Sequence, residues 1–124
     1  MTGLTQVAQH AEDLDRAAAF YSVLLRAEPA GRFDPPGLLF FDLDGTRLLL
    51  ERSAPSAILY FTSEDIDGDI ARLVDAGAVL DTEPHVIFTH EDDALGIAGT
   101  DEWQAFLLDP EGNLFGLVEQ RPVP

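Results

Sequence analysis

Glu12-Asp13-Leu14-Asp15 and Glu64-Asp65-Ile66-Asp67 are one four-residue word written twice, 52 residues apart. Each copy places a carboxylate just before apolar residues at helical spacing. The first series is Leu14, Ala17, Ala18, Tyr21, Leu24 and Leu25; the second is Ile66, Ile70, Leu73 and Val74, ending at Gly77. Asp13 and Asp65 read as N-caps, because a carboxylate there accepts a hydrogen bond from a free N–H of the first helical turn. A strand-length apolar segment precedes each word, Leu4 to Ala11 and Ala57 to Thr62. The chain therefore runs strand-helix twice.

The segments after the two helices repeat as well. Glu28 to Phe33 reads as a short strand, Pro35-Pro36-Gly37 as a turn, Leu38 to Leu43 as a strand, Asp44-Gly45 as a hairpin and Arg47 to Glu51 as its partner strand. In the second copy His85 to His90 reads as a strand, Glu91 to Thr100 as a loop and Trp103 to Leu108 as a strand. Asp109-Pro110-Glu111-Gly112-Asn113 then makes a turn before the last strand, Leu114 to Glu119. The hairpin glycines Gly45 and Gly112 are 67 residues apart, against 52 for the capping words, so the second copy carries 15 extra residues between helix and hairpin. They fall between Ala78 and Glu102, where a ligand-facing loop is expected.

At 124 residues and 46% apolar, the chain reads as one domain, 1–124, with a first unit at 1–53 and a second at 54–121. It has no Cys and therefore no disulfide or thiolate chemistry. It also has no Lys, only seven Arg, and a net charge of −16, which argues against nucleic acid because phosphate contacts need clustered cations. No segment reads as a secretory signal or a membrane span, so no membrane partner is expected and a cytoplasmic location is. The acidic surface would attract cationic ligands at long range, but such charge more often serves solubility.

The words Glu-Asp-Leu-Asp with Ala-Ala-Ala-Phe-Tyr at 12–21, and Asp-Pro-Glu-Gly-Asn at 109–113, resemble those of the vicinal oxygen chelate superfamily. That group includes glyoxalase I, methylmalonyl-CoA epimerase, extradiol dioxygenases and bleomycin-binding proteins. The resemblance implies an α+β fold in which two βαβββ repeats form a curled, cleft-lining mixed sheet with helices outside. It also implies a homodimer, and in the family's enzymes a divalent metal acting as a Lewis acid. Carried over by motif, the metal-ligand positions are Gln6, Leu49, Ile58 and Gly116, of which only Gln6 bears a donor. No metal cofactor is expected at that set. The fallback is a divalent metal on Gln6 and Glu51, since Glu51 shares strand parity with Leu49.

Strand alternation sorts Gln6, Ala8 and His10, Arg47, Leu49 and Glu51, and Ile58, Tyr60 and Thr62 onto the face away from the helices. Mixed apolar and polar linings of this kind suit a small organic molecule. The expected ligand-binding residues are Gln6, His10, Arg47, Glu51, Ile58, Tyr60, Trp103 and Gly116. Arg47 is a carboxylate or phosphate clamp, and Tyr60 and Trp103 are candidate stacking platforms. His10 is the candidate catalytic residue, a general base oriented by Glu51 or Arg47, against the plainer reading of a hydrogen-bonded strand-end histidine. His85 and His90, with Glu91, Asp92 and Asp93, read as a solvated acidic loop rather than a metal cluster.

The leading expectation is a small-molecule-binding protein of the glyoxalase and bleomycin-resistance kind, with its ligand in the cleft. Beside it stand a lyase or isomerase of the glyoxalase I or methylmalonyl-CoA epimerase type with a degenerate metal site, a metal-free enzyme using His10, and a partner-binding subunit whose cleft is vestigial.

Overall fold

The computed structural model describes residues 2–124. Its element order is β1 (Gln6–His10), α1 (Leu14–Leu25), β2 (Gly31–Phe33), β3 (Leu38–Leu43), β4 (Thr46–Glu51), β5 (Leu59–Thr62), α2 (Ile66–Asp75), β6 (Val79–His90), β7 (Thr100–Leu108) and β8 (Leu114–Pro122). Each copy is thus a βαβββ unit. Among the described residues no helix is long and apolar enough to cross a membrane.

The expected single curled sheet is not what forms. The strands make two open four-stranded mixed sheets, β1-β4-β3-β2 and β5-β8-β7-β6. The edges explain part of this: β2 is only three residues long, and β6 is broken by register shifts between Leu80 and Thr82, Thr82 and His85, and Val86 and Phe88. Neither offers a long regular row of N–H and C=O groups to a further strand.

The two offsets in the sequence are reproduced in the pairing. In the first sheet the parallel pairs are Val7↔Leu48, Ala8↔Leu49, Gln9↔Leu50 and His10↔Glu51. Moving the first member by 52 and the second by 67 gives Leu59↔Phe115, Tyr60↔Gly116, Phe61↔Leu117 and Thr62↔Val118, the pairs of the second sheet. Val118, not Glu119, is therefore the counterpart of Glu51. The hairpin between β3 and β4 has positive φ at both Asp44 (57°) and Gly45 (104°), the two-residue turn whose twist matches its strands.

By its contacts the chain forms two compact units. Unit 1 is Met1–Ala57 with Asp109–Asn113, and unit 2 is Ile58–Leu108 with Leu114–Pro124. In unit 1, α1 buries Leu14, Ala17, Phe20, Tyr21 and Leu24, while Leu39, Phe41, Leu48 and Leu50 of the sheet are fully buried. Each such side chain contributes about 1.5–3 kcal/mol by leaving water. In unit 2, Ile66 and Leu73 of α2 are buried, as are Ala105, Leu107 and Phe115. Both helices are capped as their sequences indicate, Asp13 accepting from the Arg16 N–H and Asp65 from the Gly68 N–H, each at 3.1 Å.

The 15 extra residues do not form mainly a loop. Most extend the β6–β7 hairpin, whose first strand begins at Val79 rather than at His85 as expected. Pro84 is tolerated because β6 is an edge strand and a register shift lies between Thr82 and His85.

Candidate functional site

In unit 1 the register Gln6↔Arg47, Ala8↔Leu49, His10↔Glu51 aligns these six residues on one face, with Phe40 opposite Leu49 and Gly31 opposite Phe40. Gln9, Leu48 and Leu50 take the other face and are fully buried. Arg47 Nε donates to Gln6 Oε1 at 2.9 Å. Beside this pair lies an open pocket of about 310 Å³ lined by Ala30, Gly31, Phe33, Phe40 and Arg47, with the Phe33 and Phe40 rings edge to face at 6.0 Å. A second pocket of about 220 Å³ includes Gly37, Leu38, Glu51 and Arg52.

His10 is held differently from the expectation. Its Nδ1 lies 3.0 Å from the Arg52 carbonyl and 3.2 Å from that of Ala54. Carbonyls only accept, so Nδ1 carries the proton. Nε2 is the remaining nitrogen, 3.8 Å from a Glu12 carboxylate oxygen. Neither Glu51 nor Arg47 orients the ring; a peptide turn does.

Beneath this face the segment Asp109–Asn113 supplies a buried polar lattice that read only as a turn. Asp109 Oδ1 accepts from the Glu111 and Asn113 N–H groups at 2.8 Å each. Its Oδ2 accepts from the Tyr21 hydroxyl at 2.6 Å and Asn113 Nδ2 at 2.8 Å. Asn113 Nδ2 also donates to the His10 carbonyl at 2.7 Å, fixing the end of β1. Burial, with the adjacent Asp109 carboxylate, pushes the Tyr21 phenol far above its ordinary value, so it stays protonated and donates to that carboxylate.

Glu111 Oε1 accepts from the Glu12 and Asp13 N–H groups at 2.8 and 2.9 Å, and Arg16 forms a bidentate pair with the same carboxylate. In a capping box the third helical residue would reach back to the cap, but here that residue is Arg16 and Glu111 takes the role from 95 positions away. Arg16 thus ties α1 to the 109–113 segment. Burial alone would raise the Glu111 pKa; the guanidinium and the two N–H groups outweigh it and hold the carboxyl below its ordinary value. In unit 2, Glu119 plays a similar part, accepting from the Ile66 N–H at 2.7 Å and pairing with Arg121.

The unit 2 residues divide. Tyr60 pairs with Gly116, and Gly116 with Phe106, so these three share a face, and a Cβ on Gly116 would meet the Tyr60 ring at 2.8 Å. Tyr60 is 55% exposed, a usable flat surface. Ile58 lies just before β5 and is 52% exposed. Trp103 falls on the opposite face: the β7–β8 register is unbroken, so Gln104 and Phe106 share the Tyr60 side while Trp103 joins Ala105 and Leu107. Its ring is covered by the Arg121 guanidinium at 4.5 Å. Trp103 and Tyr60 therefore cannot stack on one ligand on one face of this sheet.

His90 is buried, with Nε2 2.8 Å from Glu102 Oε1, while His85 is exposed and its Nδ1 contacts the Glu83 carbonyl. Each has its own partner. Gly96 of the following loop packs against the His90 ring and Gln120 so closely that a Cβ there would come within 2.4 Å of His90 Cε1.

A divalent metal of the kind the resemblance implies does not fit these residues. Leu49, Ile58 and Gly116 bring no side-chain donor, and the one amide, Gln6, accepts a hydrogen bond from the Arg47 guanidinium. The Gln6 and Glu51 alternative fails on register: Glu51 lies four residues beyond Arg47, the partner of Gln6, about 13 Å along the strand. Among the described residues no group of three or more His, Asp or Glu side chains is arranged to hold an ion.

Comparison with known proteins accords with the architecture. The family model described as a glyoxalase-like domain matches residues 6–118. No curated protein matches the sequence. Several solved structures share the fold. A glyoxalase-related enzyme from Fulvimarina pelagi superimposes with a TM-score of 0.72 at 16% identity, covering 96% of this chain and 88% of that one. A member of the glyoxalase/bleomycin resistance protein/dioxygenase superfamily from Sphaerobacter thermophilus gives 0.71 at 20%, covering 96% and 98%. TnmS3, an antibiotic binding protein from Streptomyces, gives 0.71 at 20%, covering 97% of each chain. The repeated βαβββ units, their shared register and the family match over 6–118 together show that the chain belongs to the glyoxalase-like domain family of the vicinal oxygen chelate superfamily.

Proposed function

We propose that this protein binds a small organic molecule on the exposed face of the unit 1 sheet, without a metal at the family's usual ligand positions. The observation that carries this reading is the Arg47 to Gln6 hydrogen bond, which engages the one donor at the family's ligand positions with a cation of the chain's own. The face has the mixed lining of a small-molecule site, with Phe40 and Phe33 as apolar surface and Gln6, Arg47, His10 and Glu51 as polar groups, while Leu49 on the same face is buried. A structural relative described as antibiotic binding supports the class by analogy of fold. A panel of small organic molecules, titrated with and without a chelator and followed by amide chemical shifts, tests it. Saturable shifts at Gln6, Phe40 and Arg47 that ignore the chelator are expected; shifts that require added metal would overturn the reading.

His10 supports a second reading, a metal-free enzyme. Its backbone-fixed Nδ1–H leaves Nε2 as the basic nitrogen, next to Glu12. The same panel, followed for turnover in wild type and His10→Ala, checks it: a base would lose turnover and retain binding.

A further inference from the structure

Arg47 stands apart from most of the seven arginines. Arg16 pairs with Glu111, Arg32 with Asp15, Arg72 with Asp69 and Arg121 with Glu119, while Arg52 donates to the Glu12 carbonyl. Arg47 makes no ion pair among the described residues; it donates through Nε to the neutral Gln6 amide. Its cross-strand neighbour Asp42 makes no contact ion pair with it; Asp42 Oδ1 accepts from the Gly45 N–H of the hairpin at 2.9 Å. The guanidinium nevertheless lines a pocket whose other walls, Ala30, Gly31, Phe33 and Phe40, are apolar. A positive fork beside two aromatic rings, in a chain of net charge −16, is the reverse of what the overall charge would select.

The geometry points to a specific ligand class: we propose that this pocket takes a compact aromatic carboxylate, its carboxylate on the Arg47 Nη groups and its ring against Phe33 and Phe40. This rests on the small-molecule reading of the same face and deepens it. A planar carboxylate matches the guanidinium fork. A single Arg balances one negative charge, so a dianion such as a phosphate monoester would leave one uncompensated. At about 310 Å³ the pocket is at the small end for ligand sites, which suits one ring. The acidic surface does not forbid this, because its repulsion is screened over about 8 Å at physiological salt, whereas the guanidinium acts in contact.

The test uses the full chain titrated with benzoate, its neutral isostere benzamide and the cation benzylamine, followed by amide shifts at Gly31 and Phe40. Benzoate is expected to bind saturably, at least tenfold more tightly than the other two. Arg47→Gln should reduce benzoate affinity by at least tenfold, to the level of benzamide, with the urea midpoint unchanged; Arg47→Lys should retain part of it. Gly31→Val, which fills the pocket beside Phe33 and keeps the charge, should also abolish benzoate binding. Equal binding of benzamide, or an Arg47→Gln variant that binds benzoate as wild type does, overturns the carboxylate assignment. If other panel members still shift this face, the small-molecule reading survives that result; if none does, both fall.

Discussion

Asp109→Ala is expected to be the most destabilising single substitution in unit 1, by about 4 kcal/mol, seen as a fall of roughly 2 M in the urea midpoint. The carboxylate accepts four hydrogen bonds and is 4% exposed. Its removal strands the Tyr21 hydroxyl, the Asn113 amide and two backbone N–H groups away from water. Buried donors left unmatched cost more than the bonds themselves were worth. Tyr21→Phe removes only one donor, and Asp109 keeps three partners, so a loss of about 1 kcal/mol is expected. Should Asp109→Ala unfold within 1 kcal/mol of wild type, the lattice is not what fixes β1 against the 109–113 segment.

The second large effect is a pH dependence. The Glu111 carboxyl is held below its ordinary value of 4.5, and its side chain is fully buried. A depressed folded-state pKa means that the ionised form favours folding. That stability is fully present above pH 4.5 and is lost as pH falls through the folded-state value. Glu111→Gln preserves the shape and one acceptor for the Glu12 and Asp13 N–H groups, but sets an amide donor against Arg16. We expect a loss of about 2 kcal/mol at pH 7. Unfolding curves at pH 7 and in acid should show a smaller acid loss in the variant than in wild type. The slope that remains comes partly from Glu119, whose carboxyl is also lowered, by Arg121 and the Ile66 N–H against the opposing effect of burial. An acid loss identical in variant and wild type would show that Glu111 is not linked to folding.

The range of each interaction decided whether the sequence disclosed it. Local signals were legible: both N-caps, the Asp44-Gly45 hairpin and the apolar stripe of α1 depend on neighbours within a few residues. The correspondence between the two copies was legible in the offsets 52 and 67, and the parallel pairing of the two sheets follows the same offsets. The Asp109 and Glu111 network was not, because Tyr21 lies 88 positions from Asp109 and Arg16 lies 95 from Glu111. The signal was three polar side chains in one five-residue turn, more than a turn needs. The face of Trp103 was not legible, because it has to be counted from Gly116 through Phe106, a register that only the strand pairing supplies. The curled sheet came with the resemblance, and the short β2 and bulged β6 edges overrule it.

The chain keeps the fold of its family, and its unit 1 sheet face is proposed to serve a small organic molecule with no metal at the family's usual ligand positions. The most direct measurement is the divalent metal content of the purified chain after exposure to equimolar manganese, zinc and nickel and removal of the excess. No stoichiometric metal is expected. One equivalent per chain, lost in Gln6→Ala, would contradict it.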